Sequence, residues 1–164
     1  MQVAEKTFAE LYQRHASSAL RLAFLLVGDR SKAEDVVADA FVRVLPPWEK
    51  GLVLDFGPYL RRAVVNGVRG DFRRRARADR AFALVPEVED VPDLGSLVAN
   101  RSAVAAALRS LPARQRAAIV LRYFEDLRER EIAELLDCPI GTVKATLSRG
   151  LTKLRALLEE GTHG

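Results

Sequence analysis

Apolar residues recur every three or four positions along most of the chain, and nowhere do they alternate with polar ones as in a strand. Phe8, Leu11, Tyr12, His15, Ala19, Leu22 and Leu26 mark one face of a first helix, which Gly28-Asp29 stops. Ser31 and Glu34 have the spacing of a capping box, in which each side chain takes a free N–H at the helix start. Behind them Ala33, Val36, Val37, Ala40, Phe41, Val44 and Leu45 predict a second helix, ended by Pro46-Pro47. A loop over 49–57 leads to Pro58, a good first residue for a third helix reaching about 77. Leu60, Ala63, Val64, Gly67 and Val68 face inward there. Gly67 and Gly70 weaken a helix and are expected where another backbone comes close.

The pattern changes between 79 and 97. Pro86-Glu-Val-Glu-Asp-Val-Pro-Asp-Leu-Gly95 combines breakers with acids and reads as an extended, flexible linker. Helical spacing resumes near Leu97, with Val98, Ala105, Leu108 and Leu111 on one face. Pro112 opens the next helix, with Ala117, Val120, Leu121 and Phe124 inside. From Leu127 to Arg149 the chain then spells a short helix, a tight turn and a second helix. Ile132, Ala133 and Leu136 are the apolar face of the first; Ala133 is small enough for close approach. Asp137 stands where the chain turns, and Asp tolerates the left-handed conformation better than most residues. Pro139 suits the first turn of the next helix. Val143, Leu147, Leu151, Leu154 and Leu158 are the inner stripe of a long last helix. The expected fold is all-α: two small helical domains, 1–78 and 98–164, joined by a flexible acidic linker, 79–97. Domains of this size bury only about 60% of their unfolded surface, so each has a small core.

Charge sharpens the picture through its distribution. The formal net charge is +4. Residues 61–80 carry eight arginines against two acids, whereas 81–97 carry four acids and no base. An arginine block followed by an acidic one is the footprint expected of a polyanion partner. On the third helix Arg62, Asn66, Arg69 and Arg73 form one outward stripe, with Arg74, Arg75, Arg77 and Arg80 extending the field. Arginine rather than a Lys/Glu mixture favours phosphate contact over mere solubility.

The unit at 127–149 has the spacing of a helix-turn-helix, which lays one helix across a phosphate backbone and the next in a major groove. Thr142, Ala145, Arg149 and Thr152, flanked by Thr146, Ser148 and Lys153, occupy the outer side of the second helix and could reach base edges and phosphates. An ordinary helical hairpin with a solvated basic face would look similar. Other classes are poorly supported. His15 lies on an apolar stripe and His163 in the tail; Cys138 has no histidine near it in sequence. No metal-ligand spacing or phosphate-binding glycine loop appears, so neither an enzyme nor a cofactor is expected. A single cysteine excludes an internal disulfide and fits a reducing compartment. No apolar run approaches the ~20 residues of a membrane span. The first residues lack the basic-then-apolar pattern of a signal peptide. A cytoplasmic protein without membrane insertion is expected.

Four motifs in order resemble those of bacterial sigma factors of the extracytoplasmic-function group, which are sigma-70-like. They are Ala33-Glu-Asp-Val-Val with Phe41; Tyr59-Leu-Arg-Arg-Ala-Val-Val-Asn66 running into Arg73-Arg-Arg; Leu111-Pro-Ala-Arg-Gln-Arg with Leu121-Arg-Tyr; and Glu131-Ile-Ala with Gly141-Thr-Val-Lys. The resemblance spans nearly the whole chain. It implies a region 2 bundle and a region 4 helix-turn-helix, with core RNA polymerase, promoter DNA and an anti-sigma factor as partners. By this resemblance Arg62, Asn66, Arg69, Arg73 and Arg74 would serve the −10 element, with Asn66 near a captured base and the loop from Glu49 to Pro58 forming its pocket. Asp35, Ala38, Asp39 and Arg43 would dock on the polymerase. Thr142, Lys144, Ala145, Ser148 and Arg149 would read the −35 element. The acidic linker would thread the polymerase near its active site.

The chain also departs from the family's usual pattern. Ala38 replaces a common glutamine, Gly70 an aspartate that here comes one place later as Asp71, and Arg128 a Ser or Thr helix cap. Ala145-Thr146 stands in place of a Ser-Arg pair, which removes a possible guanine contact of about 1–3 kcal/mol and implies a different −35 sequence. On residues alone, a free-standing DNA-binding repressor or activator and a partner-titrating regulator remain alternatives to a sigma factor.

Overall fold

The computed structural model describes the backbone of residues 7–79 and 99–162, and within these the side chains of 7–70 and 103–161. The proposed linker therefore falls outside the described residues. Among the described residues all regular structure is helical, and it belongs to two compact units, one of three helices and one of four.

The first unit contains α1 (Phe8–Val27) as far as Phe24, α2 (Arg30–Glu49) and α3 (Phe56–Asp79). Gly28, at φ +75°, makes the turn between α1 and α2 that L side chains rarely adopt. The start of α2 differs from the expected capping box. Asp29 is the cap, its Oδ1 accepting from the Lys32 N–H at 3.1 Å. Ser31 is already inside the helix, and Glu34 accepts instead from Arg30 Nε at 3.2 Å. Asp29 wins because it directly follows the glycine turn, where extended backbone and a short acceptor coincide.

Pro46-Pro47 does not end α2, which continues to Glu49. Proline removes the N–H groups that would bond the carbonyls of Val42 and Arg43. Both residues are exposed, so water can satisfy those carbonyls. The final turn closes through the Lys50 N–H on the Pro46 carbonyl at 3.2 Å and the Leu52 N–H on that of Pro47 at 3.0 Å. α3 begins two residues before Pro58, which still lies in the first turn, where its missing N–H has no helical partner.

Ala33, Val36, Val37, Ala40, Phe41 and Val44 of α2 are buried, as are Leu60, Val64, Val65 and Val68 of α3. Val65 escaped the periodicity reading. Phe41 is the hub of an aromatic cluster: its ring centroid lies 5.3 Å from that of Tyr12, 5.9 Å from Phe8 and 5.9 Å from Phe56. A Cβ on Gly67 would make ordinary contact with Val36 at 3.4 Å, whereas nothing lies within 4 Å of one on Gly70. Among the described residues the close approach expected at Gly70 is therefore not seen, and at Gly67 it is only normal packing.

The second unit contains α4 (Ala99–Arg109), α5 (Ala113–Ile119), a π turn (Val120–Phe124), α6 (Glu129–Leu136) and α7 (Ile140–Thr162). Pro112 precedes α5 as its cap residue. The π turn is recorded in the Glu125 N–H donating to the Val120 carbonyl at 3.1 Å, five residues back. One extra residue rotates the succeeding side chains by about 100° relative to α-helical register. Phe124, expected inside, is consequently 45% exposed, while Val120 and Leu121 are fully buried. Ile132, Leu136, Val143, Leu147 and Leu154 complete the core; Leu151 and Leu158 are half-buried. Gly150 is buried where α7 meets α5. A Cβ there would lie 2.8 Å from Ile119 Cδ1 and 3.2 Å from Gln115 Cβ, so a side chain at this crossing would force Ile119 and Gln115 to shift.

Candidate nucleic-acid interface

Each unit presents one helix face with candidate DNA-reading residues. On α3, the inward positions leave Arg62 and Asn66 exposed and Arg69 half-buried. Arg73 and Arg74 belong to the same helix, but their side chains fall outside the described residues.

The segment between α2 and α3 is stiffly held at both ends. Trp48 sits edge-on against Phe56, with centroids 5.4 Å apart at 83°. The His15 ring of α1 also meets Phe56, tilted by 44° with centroids 5.1 Å apart. The Gly51 N–H donates to the Trp48 carbonyl at 3.0 Å, and Val53 is buried. Between these anchors Leu52 is 74% exposed and Leu54 wholly so. A pinned loop with a projecting apolar tip can line a pocket for an unstacked base, because its ordering cost is met before the ligand arrives. The sequence reading identified the loop but not the Trp48–Phe56 clasp, since two aromatics eight residues apart carry no periodic signal.

The candidate polymerase-docking residues lie on the outer side of α2, and Asp35, Ala38, Asp39 and Arg43 are all exposed. Asp35, Asp39 and Arg43 line a recess of about 210 Å³ with Lys32, Val36, Ala40, Ala63 and Gly67. The small residues of α3 make the room, and the α2 charges surround it. Ala63 and Gly67 face inward by periodicity, yet here they are half-buried and border this recess.

In the second unit the helix-turn-helix is made by backbone geometry. Asp137 adopts φ 52°, ψ 55°, the left-handed conformation its position called for. The Cys138 N–H then donates to the Ala133 carbonyl at 3.0 Å, closing α6 in a Schellman-type end. Pro139 lies just outside α7 rather than in its first turn. Its carbonyl accepts from the N–H groups of Thr142 and Val143 at 3.0 and 3.2 Å. At the start of α6 Arg128 offers no side-chain acceptor. Glu131 supplies the reciprocal half of a capping box, its Oε1 accepting from the Arg128 N–H at 3.2 Å. Asp126 does not substitute as the cap; it sits at φ 54°, with Oδ1 3.9 Å from Arg122 Nη1.

Burial of Val143 and Leu147 turns the opposite side of α7 outward. Lys144, Ala145, Ser148 and Arg149 are exposed and Thr142 is half-buried. Lys144 Nζ lies 4.0 Å from Glu129 Oε2 of α6, a link between the two helices that sequence spacing did not suggest. Not every arginine of the unit is available to a phosphate. Arg116 of α5 is only 8% exposed, and desolvation lowers its pKa from the usual guanidinium value.

Comparison with known proteins agrees with this arrangement. Residues 11–78 match the family described as sigma-70 region 2, and residues 101–154 match sigma-70 region 4. The chain is 34% identical over 166 residues to the extracytoplasmic-function sigma factor SigE of Mycolicibacterium smegmatis; the match covers 96% of this chain but 63% of that protein's length. It is 33% identical over 156 residues to the RNA polymerase sigma-E factor of Streptomyces avermitilis, covering 93% of this chain and 85% of that one. Among solved structures, the sigma factor RpoE of Bartonella quintana, in complex with the anti-sigma factor NepR, is similar with a TM-score of 0.74 and 25% identity. That match covers 93% of this chain and 96% of that one.

Proposed function

Because the chain belongs to the extracytoplasmic-function sigma-70 family, we propose that it binds core RNA polymerase and directs it to promoters, acting as an initiation factor rather than as an enzyme. Residues 1–78 dock on the polymerase and read the −10 element, residues 98–164 read the −35 element, and residues 79–97 join them. The observation that carries this reading is that α3 and α7, on separate units, each expose one polar face, in the order of the two matched regions.

Each step follows from the chemistry of the exposed faces. Asp35, Ala38, Asp39 and Arg43 meet the polymerase, with the recess between α2 and α3 accepting a partner side chain. Arg62, Arg69, Arg73 and Arg74 hold phosphates, so that unstacking a base, which costs a few kcal/mol, is offset by contact at Asn66 and the pinned loop. Thr142, Lys144, Ala145, Ser148 and Arg149 enter the major groove. The free chain binds DNA weakly, because neither small face alone neutralises enough phosphates for specific binding at cellular salt. The work is done in the cytoplasm, and an anti-sigma factor restrains it, as NepR is bound to the Bartonella quintana relative.

Run-off transcription with core polymerase, with and without the chain, tests this directly. A promoter-dependent product appearing only with the chain is expected. Tight, specific duplex binding by the isolated chain, with no product on any cognate template, would identify a free-standing repressor instead.

A further inference from the structure

The link between Glu129 and Lys144 bears on how this protein tells its promoter from other DNA. Glu129 is the first residue of α6 and Lys144 the fifth of α7. The carboxylate sits in the first turn of its helix, where the helix dipole favours an anion. Its partner is an ammonium on a four-carbon stem, 64% exposed and easily moved. The outward face of α7 that enters the groove, from Thr142 to Arg149, carries two cations, Lys144 and Arg149. Among the described residues Lys144 has a carboxylate within ion-pair distance, whereas no ion pair is formed by Arg149.

We propose that Glu129 is a positioning residue that competes with DNA phosphate for Lys144, lowering the affinity of the helix-turn-helix for non-specific DNA. Sequence-independent binding is governed by the number of phosphates that cations neutralise, each releasing counterions. An ammonium held by a carboxylate of its own chain contributes less to that count. A base edge in the groove presents directed acceptors that no diffuse phosphate field supplies, so a correctly placed site can still draw Lys144 across. The pair therefore penalises indiscriminate binding more than specific binding. A Glu–Lys contact at 4.0 Å on an exposed surface is weak as a structural bond, so its removal leaves the fold intact.

This inference rests on α7 being the DNA-reading helix, and the test separates the two. Fluorescence anisotropy of the full chain with a short duplex of scrambled sequence gives the slope of log affinity against log salt. E129Q is expected to bind more tightly at low salt and to steepen the slope by about 0.9, one additional phosphate. Its advantage over the unaltered chain should shrink by about threefold between roughly 50 and 200 mM salt. The gain should vanish when Lys144 is already glutamine, in E129Q/K144Q compared with K144Q. An unchanged slope in E129Q overturns the proposal, as does a gain that survives in the K144Q background, which would mark simple repulsion of DNA by Glu129. R149Q reports on the premise. If it flattens the slope while E129Q does nothing, the DNA face stands and the restraint falls. If R149Q has no effect, or the unaltered chain binds no duplex at low salt, both fall.

Discussion

On α3, Arg62 and Asn66 project from an uninterrupted 24-residue helix, whereas on α7 the candidate DNA-reading residues begin five positions after a left-handed aspartate. The first face is held by side chains: α3 is placed by burial of Leu60, Val64, Val65 and Val68, and its loop is clasped by Trp48 and Phe56. The second is held by backbone: a positive φ at Asp137, a π turn at Val120–Phe124 and a missing side chain at Gly150 set where α7 points. A strand-opening site needs a stiff pocket whose cost is met in advance. A groove-entering helix needs an angle and a register. The two kinds of rigidity are supplied by different parts of the physics, and they should fail in different ways.

Truncating the aromatic hub should do the most damage. Phe41→Ala is expected to destabilise the first unit by about 3–5 kcal/mol. The chain's single tryptophan, Trp48, lies in that unit, so its fluorescence transition reads the loss. A shift below about 1 kcal/mol would mean that the cluster is decorative. Gly150→Val comes next. A branched Cβ 2.8 Å from Ile119 Cδ1 should cost the second unit about 1–3 kcal/mol by overpacking. Far-UV circular dichroism should register it while the Trp48 transition stays in place; movement of both would break the proposed contrast between the units.

Asn66→Ala is predicted to slow promoter opening by roughly tenfold, the value of a lost hydrogen bond of about 1–1.5 kcal/mol, with closed-complex binding nearly unchanged. Permanganate reactivity of unpaired thymines against filter binding separates the two steps, and equal loss in both would argue against base capture. Arg149→Ala should have the smallest effect on overall output. It is expected to narrow the preference among −35 sequences by about 1–3 kcal/mol at one base pair. Unaltered base preference with uniformly weaker binding would reassign Arg149 to a phosphate.

Periodicity made the helical character legible along the whole described chain, and with it the inward set of α2 and most of those of α3 and α7, Val65 excepted. It also made the helix-turn-helix legible, because a small residue, a turn-tolerant aspartate and a proline fall at the required separations between Ala133 and Pro139. Errors clustered at punctuation. Pro46-Pro47 looked like a stop, but a helix tolerates proline where the orphaned carbonyls face water. Ser31 looked like a cap, but Asp29 follows the glycine turn and captures the free N–H first. Phe124 looked like core until an extra backbone residue turned it outward.

Local chemistry in the chain thus sufficed to determine that this protein is helical, that one face of α3 is arginine-rich and that α6 and α7 form a turn-linked pair. Hydrophobic spacing, turn propensity and charge are properties of neighbours in sequence, so they can be read there. The tertiary structure alone decided that Gly150 packs closely against Ile119, that Trp48 and Phe56 clasp the loop, that Arg116 is withdrawn from solvent and that Glu129 lies beside Lys144. Each of these depends on which surfaces meet after the helices pack, and that meeting is fixed by volume and distance between residues on different elements rather than by spacing along one helix.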